Sequence, residues 1–219
     1  MTGRFEKGTC VTERRDHWQT VYQTKDPDSV SWYQDDPKLS VDLITGQTGP
    51  EHSVVDVGGG ASHLPDALLA AGYRNLTVLD LSGAALSASR DRIGGPSAHV
   101  TWIEGDVTLW TPDRAYDLWH DRAVFHFLTE RDDQARYLAV MAQALTPGGI
   151  AVIMTFAEDG PEKCSGLLVQ RYAPKALAAR IEALVPGMFE PKEVGRFTHV
   201  TPGGGEQRFQ YSLFRKTGA

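Results

Sequence analysis

The sequence contains few cysteines, no long apolar run and no surplus of positive charge. Only two of its 219 residues are cysteines, Cys10 and Cys164, which is too few for a disulfide framework and indicates a reducing compartment. Residues 1–18 are polar and lack the apolar core of a signal peptide. No stretch approaches the roughly 20 apolar residues of a membrane span. These absences predict a cytoplasmic protein with no membrane contact.

Acidic side chains outnumber basic ones, and this balance narrows the choice of partners. The 28 acidic and 22 basic residues give a formal net charge of −6, which argues against a general binder of nucleic acid or membrane surfaces. No group of histidines and cysteines has the spacing of a zinc site, so we expect no metal. We expect no nucleic-acid or membrane partner, and a monomer or homodimer.

The sequence does contain a regular alternation of apolar strands with helical segments. Strands are predicted at residues 52–57, 76–80, 98–104, 116–120 and 150–156, with helices at 64–71, 82–93 and 131–145 between them. Parallel neighbouring strands require such crossover helices. A helix at 174–184 and two β-rich segments, 188–197 and 207–214, complete the chain. The predicted fold class is α/β, a doubly wound and mostly parallel seven-stranded sheet with an antiparallel C-terminal edge hairpin.

The first fifty residues precede the first strand and are rich in aromatic side chains. Helices are predicted at residues 11–25 and 37–45. We therefore expect an N-terminal helical lid at residues 1–50 and a main domain at 51–219. Aromatic side chains of the lid could exclude water from a binding pocket, or could simply be the face by which the lid docks. These side chains are Trp18, Tyr22, Trp32 and Tyr33.

The central motif of the sequence is residues 53–62, a short apolar strand followed by three consecutive glycines. The glycines at 58–60 carry no Cβ, so the backbone there can turn tightly and approach a ligand closely. The helix that follows points free N–H groups toward the same space. This pattern is typical of a ligand-binding turn on an α/β scaffold.

Acidic residues stand at the ends of three successive predicted strands, at Asp56, Asp80 and Asp106. Each alone could be a loop carboxylate or a helix cap. In doubly wound sheets, however, ligands bind beyond the carboxyl ends of the strands, where these three acids should meet. An acid after the second strand commonly accepts hydrogen bonds from ribose hydroxyls. The three acids together predict a ligand that contains a nucleoside.

Two classes of cofactor compete for such a site. The dinucleotide fingerprint needs a third glycine, but His63 occupies that position and would crowd a pyrophosphate. S-adenosylmethionine has no pyrophosphate and fits better. Gly58 and Gly60 could admit its methionine part. Asp80 could hold its ribose, and Asp106 could bind the exocyclic amine of its adenine.

Four motifs, in the right order, resemble those of class I S-adenosylmethionine-dependent methyltransferases. Residues 56–62 are similar to the acidic glycine motif of that family, with Ser62 in place of its last glycine. Residues 80–82 and 105–107 match the acids after the second and third strands, and 145–149 match the turn before the fifth. The resemblance implies S-adenosylmethionine as cofactor and S-adenosylhomocysteine as product. The cofactor-binding residues that it implies are Asp56, Gly58, Gly60, Asp80, Leu81, Asp106, Val107 and His120.

The resemblance covers residues 52–219 and extends in part to the branch that includes eukaryotic protein-lysine methyltransferases. Trp18, Tyr22 and residues 31–33 look like the aromatic preamble of that branch. Many of its members carry Asp-Lys-Gly-Thr where residues 121–124 here are Asp-Arg-Ala-Val. This departure favours a small-molecule acceptor with an O, N or S nucleophile. The alternatives are a protein-lysine methyltransferase and a non-catalytic S-adenosylmethionine-binding protein.

Methyl transfer is an in-line displacement at carbon, so the enzyme mainly has to align the acceptor with the methyl group. A base is needed only where the attacking atom carries a proton. We expect the catalytic residues at the end of the fourth strand, with His120 as general base or orienting group, or else as a packed structural histidine. Asp121 could orient His120 or cap a helix. Arg122 could bind an acidic acceptor or pair with Asp121.

Histidine and cysteine side chains near this edge are further candidates for contact with the acceptor. A lone cysteine is more often a small buried hydrophobe, however, and His126 lies between two phenylalanines where a structural role is also expected. The predicted acceptor-binding residues are Trp18, Tyr22, Trp32, Tyr33, His126, Cys164 and His199.

Overall fold

Helices and strands alternate along the part of the chain that the computed structural model describes, residues 11–218. The helices are α1 (Val11–Thr24), α2 (Lys38–Thr45), α3 (Leu64–Ala70), α4 (Gly83–Ile93), α5 (Arg131–Ala144) and α6 (Pro174–Leu184). The strands are β1 (Val54–Val57), β2 (Leu76–Asp80), β3 (Val100–Glu104), β4 (Tyr116–Arg122), β5 (Leu145–Phe156), β6 (Lys163–Cys164), β7 (Leu167–Leu168), β8 (Phe189–Val200) and β9 (Glu206–Lys216). Short 3-10 helices lie at Pro27–Ser29, Gly95–His99 and Phe125–Phe127.

Seven strands form one sheet in the order β3-β2-β1-β4-β5-β9-β8. The first five run parallel, whereas β9 pairs antiparallel with β5, and β8 pairs antiparallel with β9. The chain reverses its direction of winding between β1 and β4, so a crevice opens at the carboxyl ends of these two neighbouring strands. The predicted fold class is confirmed.

Helices cover both faces of the sheet, and each face has its own apolar core. Successive residues of β4 show this, since Leu118 belongs to one core and Trp119 to the other. The core beside Trp119 includes Tyr137 of α5 and Ile181 of α6. Strands buried on both faces are nearly continuous apolar runs, which is why the apolar pattern predicted β1 and β2 well.

Local sequence signals explain where α4 begins and ends. Ser82 is its N-cap, and the hydroxyl accepts a hydrogen bond from the backbone N–H of Ala85 at 3.2 Å. The backbone N–H of Ser82 donates to Asp80 Oδ1 at 2.8 Å. Gly94 ends the helix with φ at 67°, a left-handed conformation that glycine adopts readily. The acid after β2 is thereby tied to the first turn of the next helix.

Strand β4 continues to Arg122, two residues beyond its predicted end. Asp121 pairs with Val57 of β1 on one side and with Ile153 of β5 on the other, so the ladder is complete at this position. Successive side chains of a strand point to opposite faces. His120 and Arg122 therefore face one side of the sheet, and Asp121 faces the other.

Strand β5 begins at Leu145, earlier than its predicted start. Leu145 pairs with Tyr116, and the next pair is Ile150 with Leu118, so residues 146–149 bulge out of the ladder. The glycine-rich turn predicted here therefore exists as a bulge inside the strand, because the pairing resumes on both of its sides.

Helix α1 lies across the carboxyl edge of the sheet and is held there by polar contacts. Arg14 forms ion pairs with Asp106 and Asp133, each at 3.0 Å. The side-chain oxygen of Gln19 accepts a hydrogen bond from the hydroxyl of Ser82 at 3.0 Å. These contacts place the aromatic residues of the N-terminal segment over the crevice.

The division into a lid at residues 1–50 and a main domain at 51–219 stays a prediction. Residues 1–10, which include Cys10, lie outside the described part of the chain. Between residues 11 and 218 there is no helix long and apolar enough to cross a bilayer.

Candidate active site

Two adjoining clefts open at the carboxyl ends of the parallel strands. The first has about 820 Å³ of open space, including its mouth to solvent. Its walls include Trp18, Asp80, Leu81, Asp106, Val107 and Cys164. The walls of the second include Tyr33, Ser40, Asp56, Gly59 and His120. Both clefts share Tyr22, Trp32, Gly58 and Arg122.

Asp80 ends β2 and presents a buried carboxylate to the first cleft. Burial raises the pKa of this carboxyl group to about 7, and nearby Asp56 adds to the rise. Backbone N–H groups of Ser82, Gly60 and Leu81 act in the opposite direction. A buried carboxylate bonded only to backbone groups would gain from further hydrogen-bond donors. The two hydroxyls of a ribose are such donors.

Asp106 follows β3 on the same wall, but its carboxylate is already bonded. Oδ1 accepts from the backbone N–H of Thr108 at 2.8 Å and from its hydroxyl at 2.7 Å. Oδ2 accepts from Arg14 at 3.0 Å. The contact between Asp106 and the adenine amine stays a prediction, and it would have to share the carboxylate with Arg14.

Two glycines of the turn after β1 have left-handed backbone conformations, with φ at 70° for Gly58 and 43° for Gly60. A Cβ at Gly60 would lie 3.0 Å from Asp80 Oδ2 and 3.2 Å from the Tyr22 hydroxyl. A Cβ at Gly58 would lie 2.1 Å from Val124 Cγ2. The backbone can approach both cleft walls here only because these positions lack a side chain.

His120 lies in the second cleft, and both of its ring nitrogens have partners. Nδ1 is 2.7 Å from Asp56 Oδ1, and Nε2 is 3.0 Å from the Ser40 hydroxyl. All three side chains are almost completely buried. This arrangement orients Asp56 ahead of the glycine turn and leaves neither nitrogen for an acceptor proton. The geometry thus favours the orienting role for His120 over that of general base.

Asp121 points away from both clefts, into the core beneath α5. Its carboxylate accepts from the backbone N–H groups of Val124 at 2.8 Å and Phe125 at 3.0 Å, and from the Tyr137 hydroxyl. Burial raises its pKa to about 6, although these three donors oppose the rise. Asp121 therefore holds the turn after β4, in which Ala123 has φ at 74°, and it forms no bond to His120 or Arg122.

Arg122 lines both clefts. Its Nη1 donates to the backbone carbonyl of Trp32 at 2.9 Å, and its guanidinium carbon lies 5.2 Å from the centre of the Phe209 ring. Nε and Nη2 are buried and have no hydrogen-bond partner among residues 11–218. Burial lowers the pKa of the guanidinium to about 10, so the group remains a cation at neutral pH.

Aromatic rings form the apolar end of the first cleft. The Trp18 ring packs edge-on against Trp32 at 5.5 Å and against Phe127 at 5.1 Å between centroids. The indole N–H of Trp32 donates to the Tyr22 hydroxyl at 3.1 Å. Tyr33 lines the second cleft instead. The four predicted aromatic residues thus lie close together at the clefts, although their contact with an acceptor stays a prediction.

The two other candidate histidines lie behind the cleft walls rather than on them. His126 is fully buried, and its Nδ1 accepts from the backbone N–H of Phe156 at 3.3 Å. Burial lowers the pKa of His126 to about 3, and Arg122 adds to the effect. His199 donates from Nε2 to the Ser31 carbonyl at 2.8 Å. Both rings support the walls from behind.

Cys164 lines the first cleft from a hairpin that the sequence did not predict. Strands β6 and β7 are only two residues long each, and they are joined by Ser165 and Gly166, with φ at 50° and 81°. Burial raises the pKa of the Cys164 thiol to about 11. At neutral pH it is therefore a small neutral side chain on the cleft wall.

Several residues of the site were missed by sequence reasoning. Arg14 and Ser40 lie on the N-terminal helices and reach the sheet edge only through the tertiary fold. No local pattern marks either of them. Phe127 did have a signal, because it follows the fourth strand within an aromatic cluster.

Comparison with known proteins agrees with this geometry. A family model described as a methyltransferase domain matches residues 54–149. The eEF1A lysine and N-terminal methyltransferase of Danio rerio is 25% identical over 173 residues, which are 77% of this chain and 24% of that protein. The trans-aconitate 2-methyltransferase of Methylobacterium radiotolerans is 31% identical over 117 residues, 53% of this chain and 37% of that protein. The chain thus spans well under half the length of these curated relatives.

A similar fold occurs in the 1,6-didemethyltoxoflavin-N1-methyltransferase of Burkholderia thailandensis, solved with 1,6-didemethyltoxoflavin and S-adenosylhomocysteine bound. The TM-score is 0.69 at 20% identity, with 97% of this chain and 93% of that chain covered. The two proteins share the Rossmann-like fold, with a similar sheet carrying this chain's acids at its carboxyl edge. In fold, and over residues 54–149 in sequence, the chain is similar to S-adenosylmethionine-dependent methyltransferases.

The residues of the site fit S-adenosylmethionine. Asp80 offers a buried carboxylate that lacks side-chain donors, and the space in front of Gly60 would be reduced by any Cβ. Leu81 and Val107 supply apolar walls beside the two acids. These features suit a ligand that combines a ribose with a flat base.

Proposed function

We propose that this protein transfers the methyl group of S-adenosylmethionine to a small-molecule acceptor in the first cleft. The observation that carries the proposal is the mixed lining of this cleft. Asp80, which ends β2, and Asp106, which follows β3, line it together with the rings of Trp18, Trp32 and Phe127. The acidic part of the lining suits a nucleoside, and the aromatic part with Arg122 and Cys164, which we call the acceptor end, suits a compact acceptor.

The chain's own residues bind and align the two reactants. Asp80 accepts hydrogen bonds from the ribose, Leu81 and Val107 flank the adenine with Asp106, and Gly58 and Gly60 admit the methionine part. When bound, S-adenosylmethionine supplies an electrophilic methyl group, whose bond to sulfur breaks as the bond to the acceptor forms. Asp56, oriented by His120, lies one residue before the glycine turn.

Alignment, rather than proton abstraction, is the main contribution that the acceptor end offers. Its side chains are aromatic or aliphatic, apart from Arg122, which is a cation, and Cys164, whose raised pKa keeps the thiol neutral. Neither is a base at neutral pH. An acceptor that reaches the cleft already deprotonated, or as a neutral amine, needs no base, and alignment can contribute roughly 7–11 kcal/mol.

The positive charge at the acceptor end of the first cleft weakens the alternative of a protein-lysine methyltransferase. A lysine acceptor enters its site as a cation, and a buried Arg122 cation beside the cleft would repel it. The aromatic walls alone would suit either a small molecule or a lysine side chain. The positive charge of Arg122 is what disfavours the lysine.

The test is release of S-adenosylhomocysteine. A cell extract is separated by ultrafiltration into small molecules and proteins, and each fraction is incubated with the enzyme and S-adenosylmethionine. We expect release with the small-molecule fraction. Release with the protein fraction alone would support the lysine alternative. Binding of S-adenosylmethionine without release in either fraction would support a non-catalytic protein.

A further inference from the structure

We infer that the acceptor is an acid, and that Arg122 binds its anionic group at the junction of the two clefts. This inference rests on the proposed function, because it assigns the class of acceptor to the same site.

Arg122 has unused hydrogen-bonding capacity in a buried position. A guanidinium carries five N–H donors in a planar fork, and here only Nη1 has an acceptor, the Trp32 carbonyl. Nε and Nη2 are shielded from water and have no partner among the described residues. A buried charge is costly unless it is paired and hydrogen-bonded. The fork matches a carboxylate, which can accept two parallel bonds from it.

The acidic groups near Arg122 form no hydrogen bond to it. Asp121, its neighbour in β4, faces the opposite side of the sheet and bonds to Tyr137. The charge of Asp56 opposes the lowering of the Arg122 pKa, but Asp56 Oδ1 is bonded to His120 and Oδ2 has no partner among the described residues. Burial raises the pKa of both the Tyr22 hydroxyl and the Cys164 thiol, so both remain neutral. The junction therefore has a positive charge with no bonded counter-ion among residues 11–218.

His126 and His199, behind the cleft wall, add no second positive charge at the junction. Burial first, and then the charge of Arg122, lowers the pKa of His126 and of His199. Both rings are therefore neutral at physiological pH, so the guanidinium is the cation that an anion at the junction would meet.

The position of Arg122 in the sheet separates it from the adenosine end. The acids that we propose bind the nucleoside lie at the end of β2 and just after β3, on one side of β1. Arg122 ends β4, on the other side of β1, and its guanidinium lies over Phe209 of β9. This is the half of the site that also contains Cys164 and the ring of Trp32. The acceptor, rather than the nucleoside, occupies this half.

The apolar walls of the first cleft narrow the class of acceptor further. Trp18, Trp32 and Phe127 present ring faces and edges rather than polar groups. The acceptor is thus a compact acid with an aromatic or alkyl body, whose body packs on the rings while its anionic group reaches Arg122.

The test compares acids with their own amides. The probes are benzoate, 4-hydroxybenzoate and indole-3-acetate, each beside the corresponding amide, titrated calorimetrically into protein saturated with S-adenosylhomocysteine. The proteins are wild type, Arg122→Met, Arg122→Lys and the control Arg196→Met. Arg196 is an exposed arginine of β8 that pairs with Glu158 and Asp159. Thermal unfolding checks that each variant folds.

We expect at least one acid to bind wild type and Arg196→Met about ten- to a hundred-fold more tightly than its amide, the range for bonds to a charged group. Arg122→Met should abolish this preference, and Arg122→Lys should retain part of it. Affinity for S-adenosylhomocysteine itself should stay within about twofold.

Three results would overturn the inference. They are equal binding of acids and amides to wild type, binding of none of the acids, and an unchanged preference in Arg122→Met. A large loss of S-adenosylhomocysteine affinity in Arg122→Met would instead assign the cation to the carboxylate of the cofactor. Failure of the proposed function would look different, because wild type would then release no S-adenosylhomocysteine with any small molecule.

Discussion

His120 Nδ1 lies 2.7 Å from Asp56 Oδ1, so a buried hydrogen bond joins the carboxyl ends of β4 and β1. The other ring nitrogen continues the chain to Ser40 of α2 at 3.0 Å. Asp56 lies in β1, one residue before the end of the strand and the glycine turn at which the strand order reverses. This chain of three side chains therefore connects the N-terminal segment to the backbone that we propose as the cofactor cradle.

Replacing His120 with Ala should impair folding and cofactor binding rather than chemistry alone. Asp56 would lose its side-chain partner, and an unsatisfied buried charge costs about 1–3 kcal/mol or more. The measurements are urea unfolding and calorimetric titration with S-adenosylhomocysteine. Ser40→Ala is the matched control, because it removes only the outer bond, and we expect a smaller loss of about 0.5–1.5 kcal/mol. Lost turnover with normal stability and normal binding would restore His120 as a base.

Replacing Asp80 with Ala should weaken S-adenosylmethionine binding by about 1–3 kcal/mol, the usual contribution of hydrogen bonds to a charged group. Calorimetry at pH 8 measures this loss, since the carboxylate is then ionised. Asp113→Ala is the control, because Asp113 is an exposed acid outside both clefts. Equal affinities for Asp80→Ala and wild type would reject the assignment of the ribose to Asp80.

Asp80 should also make the stability of the ligand-free protein depend on pH. Burial raises its pKa to about 7, above the value of about 4 in an unfolded chain. Between these values the folded state binds more protons, so the free energy of unfolding falls as pH rises from about 4 to 7. Asp80→Asn removes this contribution, and its stability relative to wild type should be more favourable at pH 8 than at pH 5. A constant difference in urea unfolding at both pH values would contradict the raised pKa.

Replacing Asp121 with Asn should destabilise the protein strongly. Three donors converge on this carboxylate, from Val124, Phe125 and Tyr137. An amide NH2 in place of one oxygen would face a donor, and leaving buried donors unsatisfied costs about 1–3 kcal/mol each. Tyr137→Phe removes one of these bonds and also the acceptor of the Trp119 indole N–H, so it should be destabilising as well.

Unfolding midpoints in urea, together with activity per folded molecule, distinguish the structural role of Asp121 from a catalytic one. Full stability with lost activity would indicate that Asp121 takes part in the reaction. We expect the reverse, with lower stability and little change in the activity of the molecules that remain folded.

The features that sequence reasoning predicted well depend on local signals. The apolar runs of β1 and β2, the Ser82 cap and the glycine at position 94 each act within a few residues of chain. The acids after β1, β2 and β3 were placed correctly because a parallel sheet brings all its carboxyl ends to one edge. Hairpin β6–β7 was missed, since two-residue strands leave almost no periodicity to detect.

The face of the sheet to which each side chain at the end of β4 points could not be predicted from such local signals. The predicted strand stops at residue 120, so the sequence predicts no two-residue alternation for the side chains after it. Pairing of Asp121 with β1 and β5 extends the strand, and the two-residue period then separates Asp121 from His120 and Arg122.

The sequence by itself predicted the resemblance to a methyltransferase family, the order of strands and helices, and the edge of the sheet at which we propose the site. These follow from hydrophobic period, turn residues and motif order, which are properties of neighbouring residues. Only the tertiary structure decided which side chains meet: Ser40 with His120, Arg14 with Asp106, and Arg122 with the Trp32 carbonyl and the Phe209 ring. Such pairs are separated by tens of residues, and their contact depends on how the helices and β9 pack on the finished sheet.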